Sequence, residues 1–134
     1  TITGLNHITL ATRDLVRSIR FYRDFLGFEL KAEWNEGAYL EAGQLWLCLT
    51  LQDHPIADRS DDYTHIAFSV DGNAFKTLAQ QLRQDCAIWK ENRSEGQSLY
   101  FLDPDGHRLE IHDGNLESRL DHYRRIGRDD ITIY

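Results

Sequence analysis

Residues Lys90 to His112 read KENRSEGQSLYFLDPDGHRLEIH, and the turn in their middle decides the fold. Asp103-Pro104-Asp105-Gly106 joins a proline preset for the second turn position to a glycine free to take positive φ. The flanking runs SLYFL and HRLEIH both alternate as strands do, so the turn predicts two antiparallel neighbours. Arg108, Glu110 and His112 then share one face of the second strand, and Leu109 and Ile111 share the other. A row of three charged or titratable groups is either a solvated face or a site. The polar loop, aromatic strand and carboxylate crowded into this one hairpin mark it as the candidate centre of an active site.

Moving outward from the hairpin, the second half of the chain repeats the first. THIAFSV resembles NHITLAT, and each reads as a strand opened by a histidine, His65 and His7. Asp14 caps a helix running to Leu26, with Leu15, Ile19, Tyr22, Phe25 and Leu26 at helical spacing and Gly27 placed to end it. Asp71-Gly72-Asn73 caps the counterpart, with Phe75, Leu78, Ala79 and Leu82 on one face. Three strands follow each helix: Phe28 to Trp34, AYLEA and LWLCLTL in the first half, AIWKE, SLYFL and HRLEIH in the second. Glu110 falls close to the place held by Trp46. The reading is a single domain over 1–134, α+β, built of two βαβββ repeats at about 1–51 and 63–112. A polar linker, Gln52 to Asp62, separates them, and a last helix spans 116–126.

The chain has 134 residues and 41% hydrophobic content, enough for a core without disulfide or metal staples. A formal net charge of −7 argues against a nucleic-acid partner, because neutralising phosphates needs a basic surface. No apolar run reaches the ~18 residues of a membrane span and no export leader is visible, so no membrane partner and a cytoplasmic location are expected. Cys48 and Cys86 form no CxxC pattern, and Cys48, inside LWLCLTL, reads as core.

The repeat changes the meaning of the histidines. Two that open equivalent strands can be brought together across a pseudo-twofold axis, and with Glu110 they make a two-His-one-carboxylate set. Such a set binds Mn²⁺, Fe²⁺ or Zn²⁺ and leaves positions open for a substrate. His107 and His112 are rival ligands from the same hairpin.

LNHITL, DLVRSIRFYRDFLGFEL, GAYLE, LWLCL, DYTHIAFSV, KENRSEGQSLYFLDPDGHRLEIH and SRL together resemble the vicinal oxygen chelate superfamily, and within it the FosA-type fosfomycin glutathione transferases. The resemblance implies paired βαβββ modules in a domain-swapped homodimer. It implies a metal site taking His7 from one subunit and His65 with Glu110 from the other, with Mn²⁺ as the ion. Fosfomycin, a phosphonate epoxide, is the implied substrate and glutathione the co-substrate whose thiolate opens the ring. Thr9, on the same strand face as His7, would donate a hydrogen bond to the developing alkoxide. Lys90, Ser94, Tyr100 and Arg119 would bind the phosphonate, with Tyr63 adding a hydroxyl, and Trp46 would wall the substrate methyl.

Asn92, Ser94, Glu95, Gly96 and Ser98 lie where the family holds K⁺. Trp34, Tyr39 and Arg93 lie where relatives bind glutathione, with Tyr39 orienting or deprotonating the thiol. Hydrolase-type relatives carry a carboxylate at the place of Trp46, which cannot act as a base. Competing readings are a transferase using another thiol, a water-using epoxide hydrolase, a binding protein that sequesters antibiotic, an iron dioxygenase and a glyoxalase-like isomerase.

Overall fold

The structure, a computed structural model, describes residues 1–57 and 62–134. Most of the expected linker is therefore described, and its residues 58–61 lie outside the described residues. The chain divides into two compact units, Thr1–Thr64 with Leu102–His107, and His65–Phe101 with Arg108–Tyr134.

The first unit runs β1 (His7–Thr12), α1 (Leu15–Arg20), a π-helical turn (Phe21–Phe25), β2 (Glu29–Trp34), β3 (Gly37–Ala42) and β4 (Leu45–Leu51). Its sheet has the order β1-β4-β3-β2. The β1–β4 pair is parallel, as a helical crossover requires, and β4–β3 and β3–β2 are antiparallel hairpins. Asp14 caps α1 by accepting from the Arg17 amide, as its place in the sequence implied. The expected single helix to Leu26 instead widens after Arg20. Leu26 N–H donates to Phe21 O five residues back, and this wider turn carries Phe21 and Tyr22, both buried, into the core. Gly27, at φ 77, then ends the helical segment. Leu10, Leu40, Leu47 and Leu49 close that core from the sheet.

The second unit repeats the plan with β5 (Ile66–Ser69), α2 (Gly72–Asp85), β6 (Ile88–Lys90), β7 (Ser98–Leu102) and β8 (Arg108–His112), in sheet order β5-β8-β7-β6. Phe75, Ala79 and Leu82 of α2 are buried, and Leu99, Phe101, Leu109 and Ile111 form the core face of the sheet. A final helix, α3 (Leu116–Ile126), starts at an Asn115 capping box shared with Ser118 and ends at Gly127 with φ 65.

Register corrects one detail of the repeat. Trp46 pairs directly with His7, whereas Glu110 pairs with Ala67, two residues past His65. The register counterpart of Glu110 is therefore Cys48, which pairs with Thr9. Trp46 lies one strand period away on the same face.

The Asp103–Gly106 turn closes as expected: Gly106 N–H donates to Asp103 O at 3.0 Å, and Gly106 takes φ 86. Among the described residues no helix is long and apolar enough to cross a membrane.

Candidate metal centre

In the first unit, alternation turns His7, Thr9, Trp46 and Tyr39 to the face of the sheet away from the Leu10, Leu40 and Leu47 core. Their rings form a continuous strip. Trp34 meets Tyr39 edge-on at 4.8 Å, Tyr39 meets Trp46 at 5.2 Å and 90°, and Trp46 lies 4.6 Å from the His7 ring. Trp34, Tyr39 and Trp46 are 47%, 39% and 37% exposed, so this strip is an open apolar wall rather than core. Cys48, on the same face, is buried. Asn6, which the sequence reading did not single out, accepts a hydrogen bond from His7 Nδ1 at 2.7 Å. With Nδ1 as the donor of this bond, a neutral His7 ring presents its Nε2 lone pair to a ligand.

In the second unit, His65 Nε2 and Glu110 Oε1 converge to 3.0 Å. The other carboxylate oxygen, Oε2, accepts from the Ser98 hydroxyl at 2.6 Å. Glu110 is 6% exposed, so this carboxyl group is buried, with one hydrogen-bond partner on each oxygen. His65 is packed by Trp89 at 5.4 Å and Tyr100 at 5.8 Å, and Trp89 donates from its indole to Leu109 O at 3.0 Å. Lys90 Nζ lies 4.7 Å above the Tyr100 ring. Trp89 was missed because one residue in IWK looks like ordinary strand; its place beside Lys90, already a candidate, was the available signal.

The donor chemistry fits a divalent first-row metal. An imidazole with Nδ1 held by an amide, a second imidazole and a carboxylate anchored by a hydroxyl are the ligand types and outer contacts such ions take. Among the described residues no three His, Cys, Asp or Glu side chains gather into one ligand set. His65 and Glu110 are together in one unit, and His7 belongs to the other.

The rivals fall differently. His107 is buried, its Nε2 donating to Ala11 O at 2.8 Å and its backbone N–H donating to Asp103 Oδ1, so it is a structural residue of the first unit. His112 faces Ser98 and does not take the place of His65.

Around the 92–98 loop, Asn92 Oδ1 accepts from the Ser94 amide and hydroxyl, and Asn92 Nδ2 donates to the carbonyls of Ser94 and Gly96. Two carbonyls thus turn toward one amide donor, with Gly96 at φ 82 making the curl. Ser98 donates its hydroxyl to the buried Glu110 carboxylate. Arg119 and Glu95 pair with each other, Arg119 Nε lying 3.2 Å from Glu95 Oε2. Arg93 and Tyr63 are exposed.

A family model described as Glyoxalase/Bleomycin resistance protein/Dioxygenase superfamily matches residues 4–111. The chain belongs to that superfamily. Within the Glyoxalase superfamily it is 49% identical over 122 residues to the glutathione transferase FosA of Serratia marcescens, covering 89% of this chain and 86% of that one. It is 38% identical over 128 residues to the metallothiol transferase FosB of Staphylococcus haemolyticus, covering 92% of each. Among solved structures it is similar to the fosfomycin resistance protein FosX of Listeria monocytogenes complexed with Mn(II) and sulfate ion. There the TM-score is 0.81 at 29% identity, covering 92% of this chain and 99% of that one. The Glyoxalase superfamily fold accounts for the two four-stranded sheets and their helices.

Proposed function

We propose that the protein is a metal-dependent fosfomycin glutathione transferase that confers resistance to the antibiotic. The observation that carries this reading is the convergence of His65 Nε2 and Glu110 Oε1, in a chain 49% identical to a glutathione transferase FosA.

His65 and Glu110 of one copy, with His7 of a second, would hold Mn²⁺ in a domain-swapped homodimer. The ion, when bound, supplies Lewis acidity at the oxirane oxygen. The residues do the rest. Lys90, Arg119, Ser94, Tyr100 and Tyr63 bind and orient the phosphonate. Asn92, Ser94, Glu95, Gly96 and Ser98 would hold K⁺, whose charge would offset that of the dianion. For Arg119 and Glu95 to take these roles, the ion pair they now form must give way to the substrate and cation. Trp46 packs against the substrate methyl and presents no base beside His7. Tyr39 orients the glutathione thiol, and Trp34 and Arg93 hold the tripeptide. The thiolate sulfur forms a bond to an oxirane carbon and the C–O bond breaks. The electron pair stays on oxygen, which Thr9 stabilises by hydrogen bonding until it takes up a proton. The reaction needs a reduced thiol pool, which places it in the cytoplasm.

Incubation with Mn²⁺, K⁺, fosfomycin and glutathione tests the reading. A covalent adduct is expected by mass spectrometry, dependent on metal and lost in Glu110→Ala. Because FosB, a metallothiol transferase, is also a relative, a thiol panel belongs in the same assay. Adduct only with another thiol moves the co-substrate, a hydrated product points to water as nucleophile, and unmodified bound drug points to sequestration.

A further inference from the structure

The second unit contains a histidine that the transferase reading leaves unused. His112 is the last residue of β8, on the same face as Glu110, and its side chain is 14% exposed. Its Nδ1 lies 2.7 Å from Ser98 Oγ and 3.1 Å from Gln97 O, both within hydrogen-bond reach, and 3.7 Å from Glu110 Oε2, beyond it. A carbonyl only accepts, so Nδ1 carries a proton and is shared between the two oxygens. Ser98 has a single hydroxyl proton. With one lone pair taken by His112, that proton points to Glu110 Oε2 at 2.6 Å.

The ring is seated as well as bonded. A Cβ on Gly96 would come 2.9 Å from His112 Cε1, and a Cβ on Gly114 would come 2.7 Å from Nε2. Both distances are below contact, so the slot exists only because both flanking residues are glycine. Gly96 belongs to the 92–98 loop. That loop is tied down at Gln97, whose amide and side chain donate to the two oxygens of Asp113 at 2.8 and 3.0 Å. Gln97 O in turn accepts from Asp113 N–H as well as from His112.

We propose that His112 is a positioning residue, which through Ser98 fixes the orientation of the Glu110 carboxylate and couples it to the conformation of the 92–98 loop. Without the Nδ1 donor, the Ser98 hydroxyl is free to turn to Gln97 O, and Glu110 Oε2 loses its partner. The carboxylate then rotates about its last torsion, so Oε1 no longer presents itself with His65. The inference rests on Glu110 being a metal ligand.

The test is Mn²⁺ titrated alone into the purified full chain, the free ion followed by electron paramagnetic resonance, with no fosfomycin or thiol present. His112→Phe fills the slot without a donor and is expected to weaken Mn²⁺ binding about 10- to 100-fold, the usual cost of losing an outer-shell partner. His112→Asn, whose amide restores a donor near Nδ1, is expected to recover most of that loss. Ser98→Ala removes the intermediary, and adding His112→Phe to it should weaken binding no further, since both act through one hydroxyl. Wild-type affinity in His112→Phe, or independent losses that add in the double variant, overturns the proposal. If His112→Phe melts early in the metal-free state, Ser98→Ala and His112→Asn carry the decision: wild-type affinity in Ser98→Ala, or a loss in His112→Asn as large as in Ser98→Ala, overturns it. Wild type that does not bind Mn²⁺ overturns the metal reading of Glu110 itself, a different result from the variants losing what wild type has.

Discussion

Thr9 shows how a site residue can look ordinary. It is a β-branched residue on a strand, one period from His7 on the same exposed face, with Cys48 as its register partner. Thr9→Val keeps its shape and removes the hydroxyl. Adduct formation should fall about 100-fold in kcat with little change in KM for fosfomycin, because the bond is made only as charge builds on the departing oxygen. Steady-state kinetics at saturating Mn²⁺ reads this directly. An equal loss in Mn²⁺ affinity instead would mean that Thr9 shapes the metal site. His7 and His65 could be singled out because repetition gave two histidines a common address, and the structure brings His65 together with Glu110. Asn6 was not, since Thr64 stands at the same place in the second repeat and breaks the pattern. His112 was visible only as a rival ligand. Its donor role depends on the turn of the 92–98 loop, which no strand period encodes.

The hairpin turn shows what an element adds to its residues. Asp103 and Asp105, two positions apart, are pushed in opposite directions. Burial lifts the Asp103 carboxyl above the ordinary range, and the charge of His107, the Tyr22 hydroxyl at 2.7 Å and two backbone amides offset it only in part. Burial also pushes Asp105 up. The Thr12 and Ser18 hydroxyls, the Arg13 amide and the Arg17 guanidinium outweigh it and hold the carboxyl below its usual value. A lowered folded value means that the stability from Asp105 is present above the ordinary carboxylate range and lost as pH falls through the folded value. Asp103 has the other sign: its contribution declines as pH rises from the ordinary value to the raised one. Asp105→Asn should therefore cost about 1–3 kcal/mol near neutral pH, from donors left poorly paired, and less in acid where the wild-type carboxyl is itself protonated. Urea unfolding followed from pH 7 down through the acid range in which the wild-type carboxyl takes up its proton checks this, and a cost that stays constant across that range would remove the charge from the account. The turn itself was readable from Pro104 and Gly106. What it docks on was not, because Tyr22 lies 81 positions away and reaches Asp103 through a π-helical turn that the spacing from Leu15 to Leu26 did not announce.

At the scale of the whole molecule, the proposed site divides its ligands between two copies. His65 and Glu110 lie together in one unit and His7 is carried by the other. In the proposed swapped dimer each site would draw His7 from one copy and the pair from the other. This arrangement makes a prediction that a site within one chain does not share. His7→Ala and Glu110→Ala should each be inactive as purified proteins. Unfolded together and refolded, half of the dimers are mixed, and in each mixed dimer one site carries both lesions while the other carries neither. Activity should return to about a quarter of wild type, with Mn²⁺ bound in the same proportion. Metal-binding sites confined to one chain would stay broken in every combination, so a mixture as inactive as its parents would place His7, His65 and Glu110 in one copy and rule out the exchange.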